Sequence, residues 1–414
     1  MNIWTSNILE SNCCANSEDA LFMYYLDYVF YLQYPFYHCL NDEGRGWLFS
    51  TLKKFKPAYH ASLALSKYSQ YATRSRQGCH HSHSQLKESH YDLALQELQL
   101  ALSETQTWSV SQTLVRSIEC LTCIIQLLFW ENWQIHLDGA AALVPALAQA
   151  LTASITPASR YNNRQTFQNV EVAASGIRFL LGSFIFLDII SCASTRSSHF
   201  LELDHKLMLG LDSIQLENIM GCSNWVVTFI FEISLLDGWK RKAEKAQKLS
   251  AIELTKRGKQ IDVGLRKRLA DDDNRPSREH FSDGASPSTS IEITRIFALS
   301  AMTYLHVVIS GAYPELPEIQ ESVSKTIHAL QNLTDPKWLR RLVWPFCVSG
   351  CLALDGQKSM FRDLLPAAEI TKSSIGTCPE AMKIIEECWE MRASLHNCDW
   401  VCVMNKWGHH ILLS

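Results

Sequence analysis

Apolar residues recur at three- and four-residue intervals through most of this chain, the period of helices that bury one face. Between Asp335 and Phe346 the apolar positions are Trp338, Leu339, Leu342, Val343 and Phe346. Asp335 suits an N-cap, and Pro336 suits the first helical position, where its missing N–H costs nothing. Thr377 and Glu380 have the spacing of a T-x-x-E capping box, with Pro379 in the first turn and Met382, Ile385 and Trp389 as the buried stripe. At the other end Ser17 is the expected cap of an aromatic helix carrying Phe22, Tyr24, Tyr25, Tyr28, Phe30 and Tyr31, which stops near Pro35. Glu18 and Asp19 there complement the helix dipole. The pattern predicts further helices near 47–71, 86–106, 108–130, 131–152, 171–193, 212–234, 237–269, 291–310, 315–333, 336–354 and 379–395.

Polar, unpatterned stretches punctuate this series. Residues 152–168 and 270–290 read as flexible inserts, the second rich in charge, Pro, Ser and Gly. Residues 1–16 form a short tail ahead of a helical body over 17–414. No period of 34 or 40 residues repeats, so the expected fold is all-α, a large irregular multi-helix array rather than a regular solenoid.

Composition supports that reading. Apolar content of 47% suits a folded body, and twelve prolines and seventeen glycines in 414 residues suit long helices better than a turn-rich β fold. Net charge is −4 and the isoelectric point about 6.4, without the basic balance of a protein that holds DNA unaided. The fourteen cysteines do not make a disulfide framework: Cys120, Cys123 and Cys192 sit inside apolar runs, as small hydrophobes do. There is no basic start with an apolar h-region, and no continuous apolar run reaches the roughly 18 residues of a membrane span. The expectation is an intracellular chain with reduced thiols and no membrane partner.

Local clusters raise sharper possibilities. Cys79, His80, His81 and His83 crowd one loop, yet a zinc site needs about four ligands, usually from two separated pairs, and no second pair is present. Lys240–Lys248 and Lys256–Arg268 are strongly basic on an expected long helix, which suggests a nuclear-import signal or a patch facing phosphates; interleaved Glu244 and Glu253 suggest a solvated face. Asn224, Thr228 and Glu232 have the N-x3-T-x3-E spacing of the second magnesium motif of class I terpenoid cyclases. Such an enzyme needs an acidic motif upstream. Here Asp271, Asp272 and Asp273 come downstream and Trp225 replaces an acidic neighbour. No P-loop, G-x-S-x-G, G-x-G-x-x-G or H-E-x-x-H is present, and His136 is expected to pack or hydrogen-bond. No residue is assigned a catalytic, cofactor-binding, metal-binding or DNA-binding role, and no cofactor is expected.

The order of the C-terminal strings carries the further reading. Trp344, Pro345, Phe346, Gly350 and Ala353 are followed by Phe361-Arg362, then by Ala381, Ile384, Ile385, Glu386 and Trp389, then by Asp399-Trp400. This order, with the aromatic opening helix at 21–37 and the later strings GRGWLFSTLKKFKPAYHASLALSKYSQY, HYDLALQELQLAL and WQIHLDGAAALV, resembles the fungus-specific transcription factor domain. In that family the domain normally follows a DNA-binding cluster of six cysteines on two zinc ions; Cys13 and Cys14 are adjacent and cannot form it.

The resemblance implies a helical regulatory body acting in the nucleus as a pathway-specific transcription regulator, with fungal secondary-metabolite gene clusters as the implied targets. It implies binding of protein partners, a full-length zinc-cluster factor or a second copy, with DNA reached indirectly and a small-molecule inducer as a further ligand. The sequence is expected to represent either a stand-alone regulatory domain or a chain whose cysteine-rich exon lies outside it. The competing readings are a non-transcriptional helical scaffold and, behind it, a class I terpenoid cyclase.

Overall fold

Prolines decide where several of these helices begin. The structure, a computed structural model, describes residues 17–37, 45–75, 88–130, 132–155, 167–273, 287–371 and 376–414. The tail 1–16 and most of both expected inserts, 156–166 and 274–286, lie outside the described residues. Among the described residues there are eighteen α-helices and no strand, so the fold is the irregular all-α array that the periodicity predicts. The chain forms two compact units, Met1–Leu181 and Gly182–Ser414.

The first unit holds α1 (Glu18–Tyr24), α2 (Phe30–Gln33), α3 (Gly46–Lys54), α4 (Lys56–Ser75), α5 (Glu88–Ser103), α6 (Val110–Leu127), α7 (Trp133–Ala141), α8 (Val144–Ile155) and the first half of α9 (Phe167–Thr195). Ser17 caps α1, its hydroxyl accepting from the Ala20 N–H at 3.2 Å. The aromatic run then passes through one π-helical segment, Tyr25–Val29, into α2. Its rings converge on Phe179 of α9, with Phe30 at 5.9 Å, Tyr34 at 4.7 Å and Trp47 at 5.3 Å between centroids. Gly176 permits the contact with Trp47, because a Cβ there would stand 2.9 Å from the indole.

Two expected helices in this unit are each two helices. The segment 47–71 breaks at Phe55, which is extended (φ −109°, ψ 102°), and 131–152 breaks at 142–143. In each case the second helix carries proline at its second position, Pro57 in α4 and Pro145 in α8. A proline one turn deeper would lose an intrahelical hydrogen bond and clash with the carbonyl four residues back, so the helix restarts just before it.

The second unit holds the rest of α9, then α10 (His205–Leu209), α11 (Asn224–Lys245), α12 (Ala251–Asp273), α13 (Pro287–Ser310), α14 (Pro317–Gln331), α15 (Val343–Cys351), α16 (Asp355–Ala367), α17 (Cys378–Met391) and α18 (Trp400–Trp407). Helix α13 packs against α11, α12, α14 and α15 and supplies Phe297 and Tyr304 to the core. Trp344 stacks on Phe297 at 6.1 Å and stands edge-on to Tyr304, which in turn meets Trp400 at 5.9 Å. Gly350 brings α15 against α17: a Cβ there would stand 2.6 Å from Ile385 Cδ1, and the Gly350 carbonyl accepts from Trp389 Nε1 at 2.8 Å.

Several boundaries differ from expectation. Residues 212–223 are not helical beyond a 3₁₀ turn, and α11 runs unbroken through the expected gap at 235–236. It ends instead at Gln247, which adopts left-handed φ 54°, while Lys248 N–H closes on the Ala243 carbonyl at 2.8 Å. Asp335 caps a 3₁₀ turn, Pro336–Arg341, and α15 restarts at Val343 with Pro345 in its first turn. Thr377 does not cap α17; its hydroxyl donates to the Leu412 carbonyl at 3.1 Å and ties down the C-terminus. Helices α10, α16 and α18 lie outside the segments that the periodicity predicts as helical. Residues 270–273 and 287–290 of the second expected insert are helical, as the end of α12 and the start of α13.

Two helical segments, Ala174–Thr195 and Thr289–Ser310, are long and apolar enough by mean hydropathy (1.8 and 1.4) to cross a membrane, though neither is a continuous apolar run. Their windows are 94% and 83% buried within the protein, which accounts for their composition as core. All ten cysteines in the described residues are free thiols and nine are buried, as their apolar settings predict.

Candidate functional site

The basic region singled out in the sequence lies on two helices rather than one. Lys242 and Lys245 sit in the last turns of α11, where cations complement the helix dipole, and Lys248 follows in the turn. On α12, Leu254, Gly258, Asp262 and Leu265 face inward, while Ile252, Lys256, Lys259, Val263, Arg266 and Lys267 follow one another at helical spacing along the exposed face. Ile252 is 84% exposed and Val263 53%, so the stripe mixes cations with bare aliphatics.

Part of this charge is matched locally. Asp262 accepts from Lys259 at 3.1 Å and Arg266 at 2.7 Å; Glu253 accepts from Arg257, whose guanidinium lies 4.3 Å over Trp239. Lys240 donates to the Val308 carbonyl at 2.8 Å and so anchors α11 on α13. Lys242, Lys245, Lys248, Lys256, Lys267 and Arg268 are exposed and have no ion-pair partner among the described residues. The result is a surface with a local positive field on a chain of net negative charge.

The cyclase-like triplet does not form a metal clamp. Asn224 spends its amide on backbone, accepting from Leu216 N–H at 2.9 Å and donating to the Leu209 and Ile214 carbonyls at 2.8 and 2.6 Å. It thereby locks the 209–216 loop to the start of α11. Thr228 donates to the Asn224 carbonyl, and Glu232 pairs with Lys206 at 2.5 Å. Asp272 accepts from Trp225 Nε1 at 2.9 Å.

Cys79, His80, His81 and His83 lie outside the described residues. His136 is half-buried on α7 with its Nε2 lacking a hydrogen-bond partner, and burial pushes its pKa down, so it packs as a neutral ring.

The second unit also buries two charged clusters that the sequence reading did not single out. Asp188 of α9, His199 of the following loop and His205 at the start of α10 converge. Asp188 Oδ2 is 3.2 Å from His199 Nδ1 and 2.7 Å from His205 Nε2, and Oδ1 accepts from Phe200 N–H at 2.7 Å. Burial pushes the Asp188 carboxyl up, but these hydrogen bonds outweigh it and hold the group below its ordinary value.

Two turns on, just past the end of α9, Arg196 pairs with Asp399 at 2.9 Å and lies near Asp237 at 3.7 Å, with its guanidinium 5.5 Å over the Trp400 ring. Burial pushes the Asp237 carboxyl up, and Arg196, Arg241 and Lys240 offset that only in part. Spacing alone does not reveal either cluster: Asp188, His199 and His205 meet through the turn of chain that joins α9 to α10, and Arg196, Asp237 and Asp399 meet only once α9, α11 and α18 pack.

In the first unit a groove of about 570 Å³ is lined by the apolar Phe22, Met23 and Phe49, by Tyr59 and His60, and by the charged Glu18, Asp19, Lys53 and Lys56. Its size and partly apolar lining fall within the range of small-molecule sites.

Comparison with known proteins defines the class. The fungal specific transcription factor domain matches residues 20–414. The trichothecene biosynthesis transcription regulator TRI10 of Trichoderma arundinaceum is 33% identical over 407 residues, spanning 91% of this chain and 92% of its own. The protein of the same description in Fusarium sporotrichioides is 33% identical over 404 residues, with the same coverage. The transcription factor dibT of Pestalotiopsis microspora is 29% identical over 431 residues, covering 91% of this chain and 67% of its own length. No solved structure matches. With a family match over residues 20–414 and relatives aligned over 91% of it, the chain belongs to the fungal specific transcription factor domain family.

Proposed function

We propose that this protein is a pathway-specific transcription regulator of a fungal secondary-metabolite gene cluster, working in the nucleus through protein partners. The carrying observation is the alignment over 91% of this chain with relatives named as trichothecene biosynthesis regulators, at nearly equal length. A relative described as a pestheic acid cluster transcriptional regulator, 27% identical over 96% of this chain, supports the same class of target.

The physical features favour a control module. Asn224, Thr228 and Glu232, the best enzymatic constellation in the sequence, are committed to backbone and to Lys206. The unmatched cations of α11 and α12 offer an accessible basic surface for an import carrier or an acidic partner segment. Net charge of −4 across the chain favours reaching DNA through a partner, either a full-length zinc-cluster factor or a second copy. The Phe22–Met23–Phe49 groove is suited to an apolar inducer or an amphipathic partner helix.

Gene deletion followed by transcript measurement across the neighbouring biosynthetic genes tests the reading. Coordinate loss of those transcripts supports it, and unchanged transcripts overturn it. Chromatin association of the tagged protein, with and without a candidate partner, tests the indirect route: sequence-specific binding by the purified 414 residues alone would refute it. Reversing charge with Lys256→Glu, Lys267→Glu and Arg268→Glu in a fluorescent fusion tests the basic face, with reduced nuclear accumulation as the expected result.

A further inference from the structure

The hydrogen bonds around Asp188 leave a hole in the donor count. Metal-binding histidines characteristically donate one ring N–H to a carbonyl or other acceptor, which fixes the tautomer and aims the second nitrogen's lone pair at the ion. His205 has that arrangement: Nδ1 faces the Leu203 carbonyl at 2.9 Å and Nε2 faces Asp188 Oδ2 at 2.7 Å. His199 has it with the nitrogens exchanged. Its Nε2 lies 3.1 Å from Ser234 Oγ, whose own proton goes to the Phe231 carbonyl at 2.8 Å, and its Nδ1 faces Asp188 Oδ2 at 3.2 Å.

In their neutral forms, with those outer N–H groups donated, both rings turn lone pairs toward a carboxylate oxygen that has only lone pairs to offer. Turning the Ser234 proton toward His199 relieves that ring. It does nothing for His205, because the Leu203 carbonyl and Asp188 can only accept. Something positive must sit among the three atoms. An extra proton on His205 would serve, and so would one divalent ion.

The surroundings suit the ion. The three ligand atoms lie within 4.8 Å of one another on three different segments. Zinc–nitrogen and zinc–oxygen bonds of about 2.0–2.2 Å place neighbouring tetrahedral ligands about 3.3 Å apart, so the 3.2 Å edge already fits and the 2.7 Å edge must open by about 0.6 Å. Phe231 walls the site, stacked 4.8 Å from the His205 ring and tilted 4.9 Å from that of His199. Asp188 is held by the Phe200 N–H through its other oxygen. Only His199 is partly exposed, which leaves the fourth position on its side.

We propose that Asp188, His199 and His205 form a three-ligand site for a zinc-class divalent cation, with Leu203 and Ser234 as the outer partners that set the two tautomers. The ion would pin the 196–204 loop and α10 to α9, so the site is structural or regulatory and independent of the transcriptional reading.

The test uses the full chain, stripped with a chelator and then titrated calorimetrically with zinc chloride; cobalt(II) serves as a spectroscopic substitute. One equivalent bound, with cobalt giving the absorption of a tetrahedral nitrogen–oxygen site, is the expected result. His205→Gln should abolish that equivalent. Ser234→Ala, which leaves all three ligands in place and is chosen in case His205→Gln fails to fold, should weaken it roughly 10- to 100-fold. The triple change His80→Ala, His81→Ala and His83→Ala should leave it intact. Failure to bind zinc means that a proton alone fills the cluster and overturns the proposal. So does zinc binding that ignores both His205→Gln and Ser234→Ala, or that is lost with the His80, His81 and His83 change.

Discussion

Trp400 donates its indole N–H to the Ser194 carbonyl at 2.9 Å across 206 residues of chain, and so closes the end of α9 with the start of α18. Beside it Asp399 performs two tasks. Its Oδ1 caps α18 through the Val401 and Cys402 N–H groups, and its Oδ2 pairs with Arg196. The Asp-Trp pair that marks the family's C-terminal order is therefore a clasp in this protein, joining a buried ion pair, a helix cap and an aromatic hydrogen bond.

Breaking one side of that clasp should cost more than removing both charges. A buried charge left without its partner loses roughly 3–5 kcal/mol, whereas apolar replacement of a whole pair is often near neutral. Arg196→Met should accordingly destabilise the second unit by roughly 3 kcal/mol, and Arg196→Met with Asp399→Asn by less than the sum of the single changes. Urea unfolding followed by tryptophan fluorescence measures both, with the double-mutant cycle giving the coupling. Additive losses would show that the two side chains do not interact.

Gly350 and Gly356 offer a contrast within a few residues. A methyl at Gly350 would be driven against Ile385 and, at 3.2 Å, Phe361, both in the core, while nothing lies within 4 Å of a methyl at Gly356 in α16. Gly350→Ala should destabilise by about 1–3 kcal/mol through overpacking. Gly356→Ala should stabilise by about 0.4–1 kcal/mol through a less mobile unfolded chain. Thermal melts of the two variants should move in opposite directions.

The sequence discloses the helices through their period, and discloses their joints less well. The breaks at Phe55, at 142–143 and at Leu342 leave no gap in the periodicity, although Pro57, Pro145 and Pro345 stand just after them. The apolar stripe continues in phase across each break, and period outweighed punctuation. The end of α11 had no such marker: Gln247, not glycine, takes the left-handed conformation, stabilised by hydrogen bonds that exist only once the turn is formed. Helix α16 was hidden by its polarity, since only Phe361 and Leu364 are fully buried along its thirteen residues. The basic face was legible because charge is local. The Arg196 cluster is not, because it comes from long-range packing, and the Asp188 cluster is not, because the irregular loop after α9 sets how Asp188, His199 and His205 meet.

His306 should give the fold a sensitivity to mild acid. It is buried on α13 with Nε2 lacking a partner, and burial lowers its pKa, with nearby Asp262 and Glu318 opposing that effect in part. A base whose folded pKa is depressed leaves stability intact above its unfolded pKa of about 6.5. That stability is lost as pH falls from there toward the lower folded value, because the unfolded chain takes the proton first. Urea midpoints should therefore decline between about pH 7 and pH 5, and His306→Phe should flatten the decline. An unchanged slope would assign the acid sensitivity to other groups.

Thiol chemistry tests the core residue by residue. Burial pushes Cys120, Cys192 and Cys378 each up to about 12, and raises Cys123, Cys222 and Cys351 as well. Cys388 and Cys398 hydrogen-bond each other at 3.9 Å between sulfurs, and that bond above all pushes Cys398 up to about 12, with Cys402 opposing it and burial adding to it. Alkylation requires the thiolate, and at pH 8 a thiol of pKa near 12 is ionised in roughly one molecule in ten thousand. Iodoacetamide labelling read by peptide mass spectrometry should therefore leave these positions unmodified in the native protein and modify them fully in urea. Over exposures long enough for opening to occur, the slow labelling of those in the second unit should share one rate, set by the opening of that unit rather than by each thiol. Rapid native labelling at Cys192 or Cys388 would mean that the packing between α9, α11, α15 and α17 is open in solution, and the clasp at Trp400 would then have to be open with it.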